Sequence, residues 1–323
     1  MTMDETARFW FLLIFLVPSI MCSIFDLYHF LFDRTLRQGL HNHSIIVILF
    51  FCLLFECTDI FWLVYNYGTG HVLLLTETFC MIWHFIDHIG FLLISSIVAW
   101  ASIERHILIF HDKWLITRNK LFFIHYFPLI SLIIYSFVFY TMAFFIFSWE
   151  HTFNYSETQC GFNDGLFHPR IIAVWDSVAN NILPTLIIVI FNAALIFRVL
   201  YQKHRLHQRI HWRNYRKMTV QMLSISSIFF CLYFVPMLLY TAYTIGLSRS
   251  FAHDYYDTSI YLFYFVIIFL PFICAVSLPE LRAKFHITVQ KWKQRAQHIS
   301  ALQFWTTIQR TFHRSVAVGP NNL

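Results

Sequence analysis

Four acids, Glu56, Asp59, Asp87 and Asp176, stand inside long apolar stretches whose interiors hold no Lys or Arg. A carboxylate in such a setting is costly and is a functional candidate by default. It either keeps its proton or meets a cation. Asp87 lies between His84 and His88, and those two histidines, four residues apart, share one helical face. A His pair with a nearby acid can hold zinc, with Asp59 or Glu56 reaching in as a further ligand, which would make a hydrolase. The plainer reading is that the imidazoles hydrogen-bond within an aromatic pocket while Asp87 receives a cation. The stretch that carries this trio opens at Cys80 and closes on Glu104-Arg105-His106. At about 100° per residue, Cys80, Asp87 and Arg105 fall on nearly one face. Asp87 and Arg105 are then about 27 Å apart along the axis, close to the thickness of a hydrocarbon core.

The elements that must position these groups are membrane spans. The chain of 323 residues is 58% apolar, 20% aromatic and only 12% charged, against roughly 25% charged in a soluble domain. Stretches 9–33, 44–67, 77–110, 121–148, 171–202, 215–246 and 257–278 each exceed the ~20 residues that a spanning helix needs. The first lacks the basic start and small-residue cleavage site of a signal peptide and reads as helix one. The expected fold class is therefore all-α: a seven-transmembrane helix bundle over residues 1–278. A cytoplasmic amphipathic helix and flexible tail follow over 279–323. Leu281, Phe285, Thr288, Val289 and Trp292 recur there at helical spacing, opposite Arg282, Lys284, Lys291 and Lys293, as on a membrane surface.

Charge sets the expected orientation. Arg8, Arg170 and Arg249 lie on one side; the remaining 20 of the 23 Lys and Arg lie in or beside the loops and tail of the other. Basic loops stay cytoplasmic, which places the N-terminus outside and the C-terminus inside. Of seven cysteines, only Cys80 and Cys160 reach the outer, oxidising side, where a disulfide between them would pin the loop 149–170 over the bundle. Asn154 in that loop heads a glycosylation sequon; the sequon at Asn42 falls inside. Pro18, Pro128, Pro184, Pro236 and Pro271 make several helices kink-capable.

Taken together, these residues resemble the rhodopsin-like G-protein-coupled receptors, as a divergent, invertebrate-type orphan member. The resemblance spans nearly the whole chain. Cys80 with Cys160 is similar to the family's cysteine pair, and Glu104-Arg105-His106 stands where the family has its [DE]RY triplet. Phe230 and Pro236 match the phenylalanine and proline of the sixth-helix FxxCWxP motif, with Phe234 in place of its tryptophan. Pro271 matches the proline of NPxxY, although Leu270 and Cys274 replace its Asn and Tyr. Arg216 sits where many members carry an acid facing the triplet arginine.

The resemblance implies a plasma-membrane receptor, not an enzyme and without a cofactor. Its partners would be the bilayer, an extracellular peptide or small cationic ligand, and a cytoplasmic heterotrimeric G protein, with no nucleic acid. Asp87 stands where monoamine receptors bind the amine, and Tyr264 where they place a tyrosine against it. Met237 and Leu238 replace their two pocket phenylalanines, so a basic peptide fits equally well. The expected ligand pocket is Asp87, His84, His88, Tyr264, Asp59, Asp176 and Phe234, and the expected coupling triplet is Glu104, Arg105 and His106.

Overall fold

A chain surrounded by lipid must satisfy its backbone polar groups within each segment, so long apolar runs become helices. The computed structural model describes residues 4–110, 117–146, 153–161, 170–206, 223–278, 280–291 and 293–295. Among them every regular element is helical. Seven helices are long and apolar enough to cross a membrane: α1 (Glu5–Phe32), α2 (Asn42–Thr69), α3 (Glu77–Leu108), α4 (Arg118–Ile146), α5 (Arg170–Arg198), α6 (Leu223–Ile245) and α7 (His253–Ser277). A short helix, Arg34–Gln38, joins α1 to α2; Asp33 caps it by accepting from the Thr35 N–H. α2 ends where Gly70 turns left-handed at φ 71°, a conformation that favours glycine. The chain from Leu278 onward forms a separate compact unit and contains a helix over 280–291.

α3 is the axis of the bundle. Some 78% of its most apolar window is buried, against 61% or less in each of the others, and α2, α4 and α5 all pack on it. α7 packs on α1 and α6. The tie between α1 and α7 at one end is an ion pair of Arg8 with Asp257, reinforced by the Tyr261 hydroxyl donating to the Arg8 carbonyl at 3.0 Å. In mid-bundle, Ser19 and Ser23 of α1 both reach the Glu56 carboxyl of α2, and Ser19 also reaches the Ile268 carbonyl of α7 at 2.7 Å.

The helices widen into π turns, with i→i+5 spacing, at Phe122–Tyr126, Asp176–Ile182 and Phe229–Phe234. Each of these three turns ends two residues before a proline: Pro128, Pro184 and Pro236. Proline lacks the N–H that would bond four residues back, and its ring crowds that carbonyl, so the preceding turn opens. The extra residue rotates the adjoining turns relative to each other. In α6, Phe229 and Tyr233 are buried on the side of Pro236, while Phe230 is 47% exposed and stacks on Phe234. α2 has a similar turn at Glu56–Ile60 without a proline.

α2 and α3 meet where Gly90 faces the ring of Phe55, and a Cβ at that position would collide with the ring. Phe55 is itself confined by Phe91, with ring centroids 5.1 Å apart. Gly90→Ala is therefore expected to destabilise the bundle by about 1–3 kcal/mol, and Gly90→Ala with Phe55→Leu to recover much of it. Thermal unfolding of the detergent-solubilised variants measures both; equal stability of Gly90→Ala and the parent would refute the close approach.

Candidate functional site

The Cys80–Cys160 disulfide, with Cα atoms 5.9 Å apart, brings the loop 153–161 to the first turn of α3. Gln159 and Cys160 both take left-handed backbone conformations, at φ 54° and 62°, which ordinary residues adopt only when their surroundings hold them there. The result is that the Gln159 side chain turns down into the bundle. Its amide donates to the Tyr264 hydroxyl and reaches Asp87 Oδ1 at 3.5 Å. Tyr264 in turn donates to the same Asp87 oxygen at 2.7 Å. His88 Nδ1 lies 3.6 Å from Asp87 Oδ2 and 2.8 Å from the His84 carbonyl. The His84 ring stacks on Phe153 of the loop, 6.0 Å away. Asp59 is nearby in electrostatic terms. Its Oδ1 accepts from the Trp83 indole at 2.6 Å, and its Oδ2 has no partner among the described residues.

Above this group, a cavity of about 640 Å³ opens at the disulfide end, lined by Tyr67, Tyr240, Tyr256, Tyr261, Tyr264 and Gln159. Its charged lining is Glu157, Asp257, Arg170 and Arg249. Asn154 is exposed on the same loop and its amide donates to Glu157 at 2.7 Å.

Asp176 has hydrogen-bond partners of its own. Its carboxylate accepts from Tyr140 at 2.7 Å, Asn180 at 2.9 Å and Asn181 at 3.3 Å, and Asn181 also accepts from Tyr233 at 2.6 Å. That network ties α4, α5 and α6 together and occupies the acid's lone pairs. Phe234 stacks on Phe230. The structure thus gathers Asp87, Tyr264, His88, His84 and Asp59 near one another, and Asp176 adjoins them through His88, whose ring lies 5.8 Å from that of Tyr140. Among the described residues, no three His, Cys, Asp or Glu side chains converge so as to hold a metal ion, so the zinc reading of His84, Asp87 and His88 gains no support.

At the opposite end of α3, Arg105 is buried, 1% exposed. Its neighbour Glu104 accepts from Ser44 of α2 at 2.8 Å and pairs with His125 of α4. His106 binds the Phe191 carbonyl of α5 at 2.6 Å. The Asn192 amide donates to Ser102 of α3 at 3.1 Å and to Ser226 of α6 at 2.6 Å, joining three helices. Arg216 lies outside the described residues.

No protein-family model matches the sequence, and no curated protein matches it. The crystal structure of squid rhodopsin does match, with a TM-score of 0.69 over 90% of this chain and 87% of that one, at 15% sequence identity. The chain has a rhodopsin fold. With seven such helices it is a multi-pass membrane protein.

Within the rhodopsin fold, several partners of the site escape a reading of single residues. Gln159 was signalled only by its place beside Cys160. Trp83, Tyr140 and Asn181 read as core aromatics and a span amide until the helices bring the acids to them. The Asn192 bridge has no motif at all.

The disulfide fixes the loop that carries Gln159, and its two cysteines are 80 residues apart. Closing a loop of that length contributes about 4 kcal/mol in the chain-entropy model. Cys160→Ser is expected to lower the unfolding temperature by several degrees and to reduce the fraction of protein that reaches the cell surface. Full surface expression and unchanged melting in Cys160→Ser would contradict this.

Proposed function

We propose that the chain is a G-protein-coupled receptor of the rhodopsin-like kind. A ligand would enter at the disulfide end, and a heterotrimeric G protein would be engaged at the Arg105 end. What carries this reading is α3: one helix bears Asp87 under the loop-covered cavity and the buried Arg105 at its other end, within a rhodopsin fold. The excess of Lys and Arg on the Arg105 side supports a cytoplasmic location for that end and a plasma-membrane receptor with its N-terminus outside. The division at residue 278 supports a bundle domain followed by a membrane-surface helix and tail.

The residues take these roles. Tyr264 and Gln159 hold Asp87 in its apo position, and His84 and His88 line the same level. A ligand cation, from a small amine or a basic peptide, would displace the Gln159 amide and take its place on Asp87. Such charge-assisted bonds are among the stronger ones, about 1.5–3 kcal/mol. The tyrosines of the cavity above suit the body of such a ligand, since their rings bind a cation or an apolar group equally. Asp59, with its unpartnered oxygen, is the second acid at that depth. Asp176 acts as a brace between helices. In α6 the inward Tyr233 and Phe229, rather than Phe230 and Phe234, transmit the change along the helix, with Pro236 and Pro271 permitting the bend. At the other end Glu104, Arg105 and His106 form the coupling triplet, closed by contacts to α2, α4 and α5.

Two measurements test this. The protein reconstituted in nanodiscs should accelerate guanine-nucleotide exchange on one member of a panel of purified heterotrimeric G proteins, and Arg105→Ala should abolish the acceleration. No exchange on any G protein, with or without a screened agonist, would remove the receptor reading. For the agonist so found, Asp87→Asn keeps the shape and removes the charge. It is expected to weaken the response at least ~10-fold, since 1.4 kcal/mol is tenfold in affinity. An unchanged response, or an anionic agonist, would remove Asp87 from the ligand site.

A further inference from the structure

Three residues at the Arg105 end form a continuous chain of contacts between separate helices. Glu104 Oε1 of α3 meets His125 Nδ1 of α4. His125 Nε2 lies 3.1 Å from His43 Nδ1 of α2, and His43 Nε2 lies 2.9 Å from the backbone carbonyl of Arg37. We propose that Glu104, His125 and His43 form a one-proton relay, through which protons on that side of the membrane hold or release the contact of α4 with α2.

Counting protons carries the inference. The three contacts need three hydrogens, one for each. The Arg37 carbonyl only accepts, so His43 must carry a proton on Nε2. A neutral imidazole has one N–H, and two neutral rings supply two hydrogens. The third is an extra proton shared by the chain. It resides on Glu104 as a carboxylic acid, on His125 as an imidazolium, or on His43 as an imidazolium, and each form leaves the trio with no net charge. Passing between them needs only hops along hydrogen bonds already made.

The chain also has an inside and an outside. Glu104 and His125 are buried, at 2% and 0% exposure, whereas His43 is half-buried beside the short helix Arg34–Gln38. A proton can therefore leave only through His43, to solvent water or buffer base. Once it has left, two hydrogens remain for three contacts, and somewhere two lone pairs face each other. With Glu104 ionised, His125 keeps its Nδ1 hydrogen on the carboxylate, the strongest acceptor of the three, so the break falls between the two rings and α4 loses its tie to α2. Glu104 keeps the Ser44 hydroxyl of α2.

Among the described residues, the titratable and charged groups that face the chain are Tyr126, Arg105 and Arg37. Tyr126 of α4 stands 3.5 Å from His43 Nδ1, too far for more than a weak bond. Arg105 of α3 acts on Glu104 electrostatically and interacts in the same way with Cys274 of α7. The Arg37 guanidinium donates away from the chain, to the Leu31 carbonyl at 3.2 Å.

The test uses full-length protein in nanodiscs, and neither of its readouts requires a G protein, so it stands apart from the receptor assignment. Imidazole nitrogens of 15N-histidine-labelled protein are followed by NMR from about pH 6 to about pH 8.5, the range of an ordinary histidine. The two rings are assigned from signals lost in His43→Gln and His125→Gln. His43 and His125 are expected to lose one proton between them in a single joint transition. Glu104→Gln replaces the shared proton by a permanent amide N–H, which completes all three contacts with both rings neutral. That variant should therefore show both rings neutral throughout and no joint transition.

The unfolding temperature provides the second readout. The folded protein holds a proton that the unfolded chain releases, so stability falls as pH rises. A decrease of several degrees is expected across this range in the parent and a level profile in Glu104→Gln. Two rings that titrate independently, or identical pH profiles for the parent and Glu104→Gln, would overturn the relay.

Discussion

The whole bundle answers to one constraint: a polar group inside lipid must find its partner within the protein, because lipid tails cannot hydrogen-bond. Five of the buried acids accordingly mark junctions. Glu56 joins α2 to the serines of α1, Asp59 joins α2 to Trp83 of α3, and Asp87 joins α3 to Tyr264 of α7. Asp176 joins α5 to Tyr140 of α4 and Glu104 joins α3 to α2 and α4. Apolar packing alone leaves helices free to slide and rotate, since lipid tails are as apolar as leucine. These polar junctions fix the rotation of each helix, and three of the five involve α3.

The same logic separates residues that brace from residues that are available. Asp176 has a donor for each part of its carboxylate. Asp87 is held by a tyrosine and by a glutamine carried on a loop, and a loop is the most easily displaced of the elements present. Asp59 retains an oxygen without a partner. Gln159 reaches Asp87 through one long amide contact of 3.5 Å and also donates to Tyr264. The strained backbone of Gln159 and Cys160 belongs to this arrangement, because the disulfide fixes one end of the loop while the amide reaches downward.

Much of this was legible in the amino-acid sequence. Seven apolar stretches read as seven helices because hydrocarbon thickness sets a length that chance rarely meets, and the helices lie within a few residues of those stretches, save that 215–222 of the sixth lie outside the described residues. Cys80, Asp87 and Arg105 fell on one face because α3 is a regular helix across its length. The sixth-helix motif drew attention to Phe230 and Phe234, whereas the side chains buried on that helix are Phe229 and Tyr233, which no motif marks. His43 and His125, far apart in sequence and each unremarkable in its own span, gain meaning only when α2 and α4 are side by side. Gln159 depended on a backbone conformation that no composition rule anticipates.

The Arg105 end is closed by neutral or internally balanced contacts: Glu104 with Ser44 and His125, His106 with a carbonyl, and Asn192 between Ser102 and Ser226. A closure of this kind is weak enough to reverse, since hydrogen bonds each contribute about 1 kcal/mol net. Opening it means moving α6 away from α3 and α4, and this coupled movement is the central claim. Spin labels at Arg118 and Leu223, both exposed at that end of α4 and α6, report it directly by electron–electron distance measurement, with exposed Cys57 and Cys231 replaced by serine. The account expects a single short-distance population that gains a distinctly longer one when a nucleotide-free G protein is added. A distance distribution that stays unchanged while the G protein is bound would contradict it.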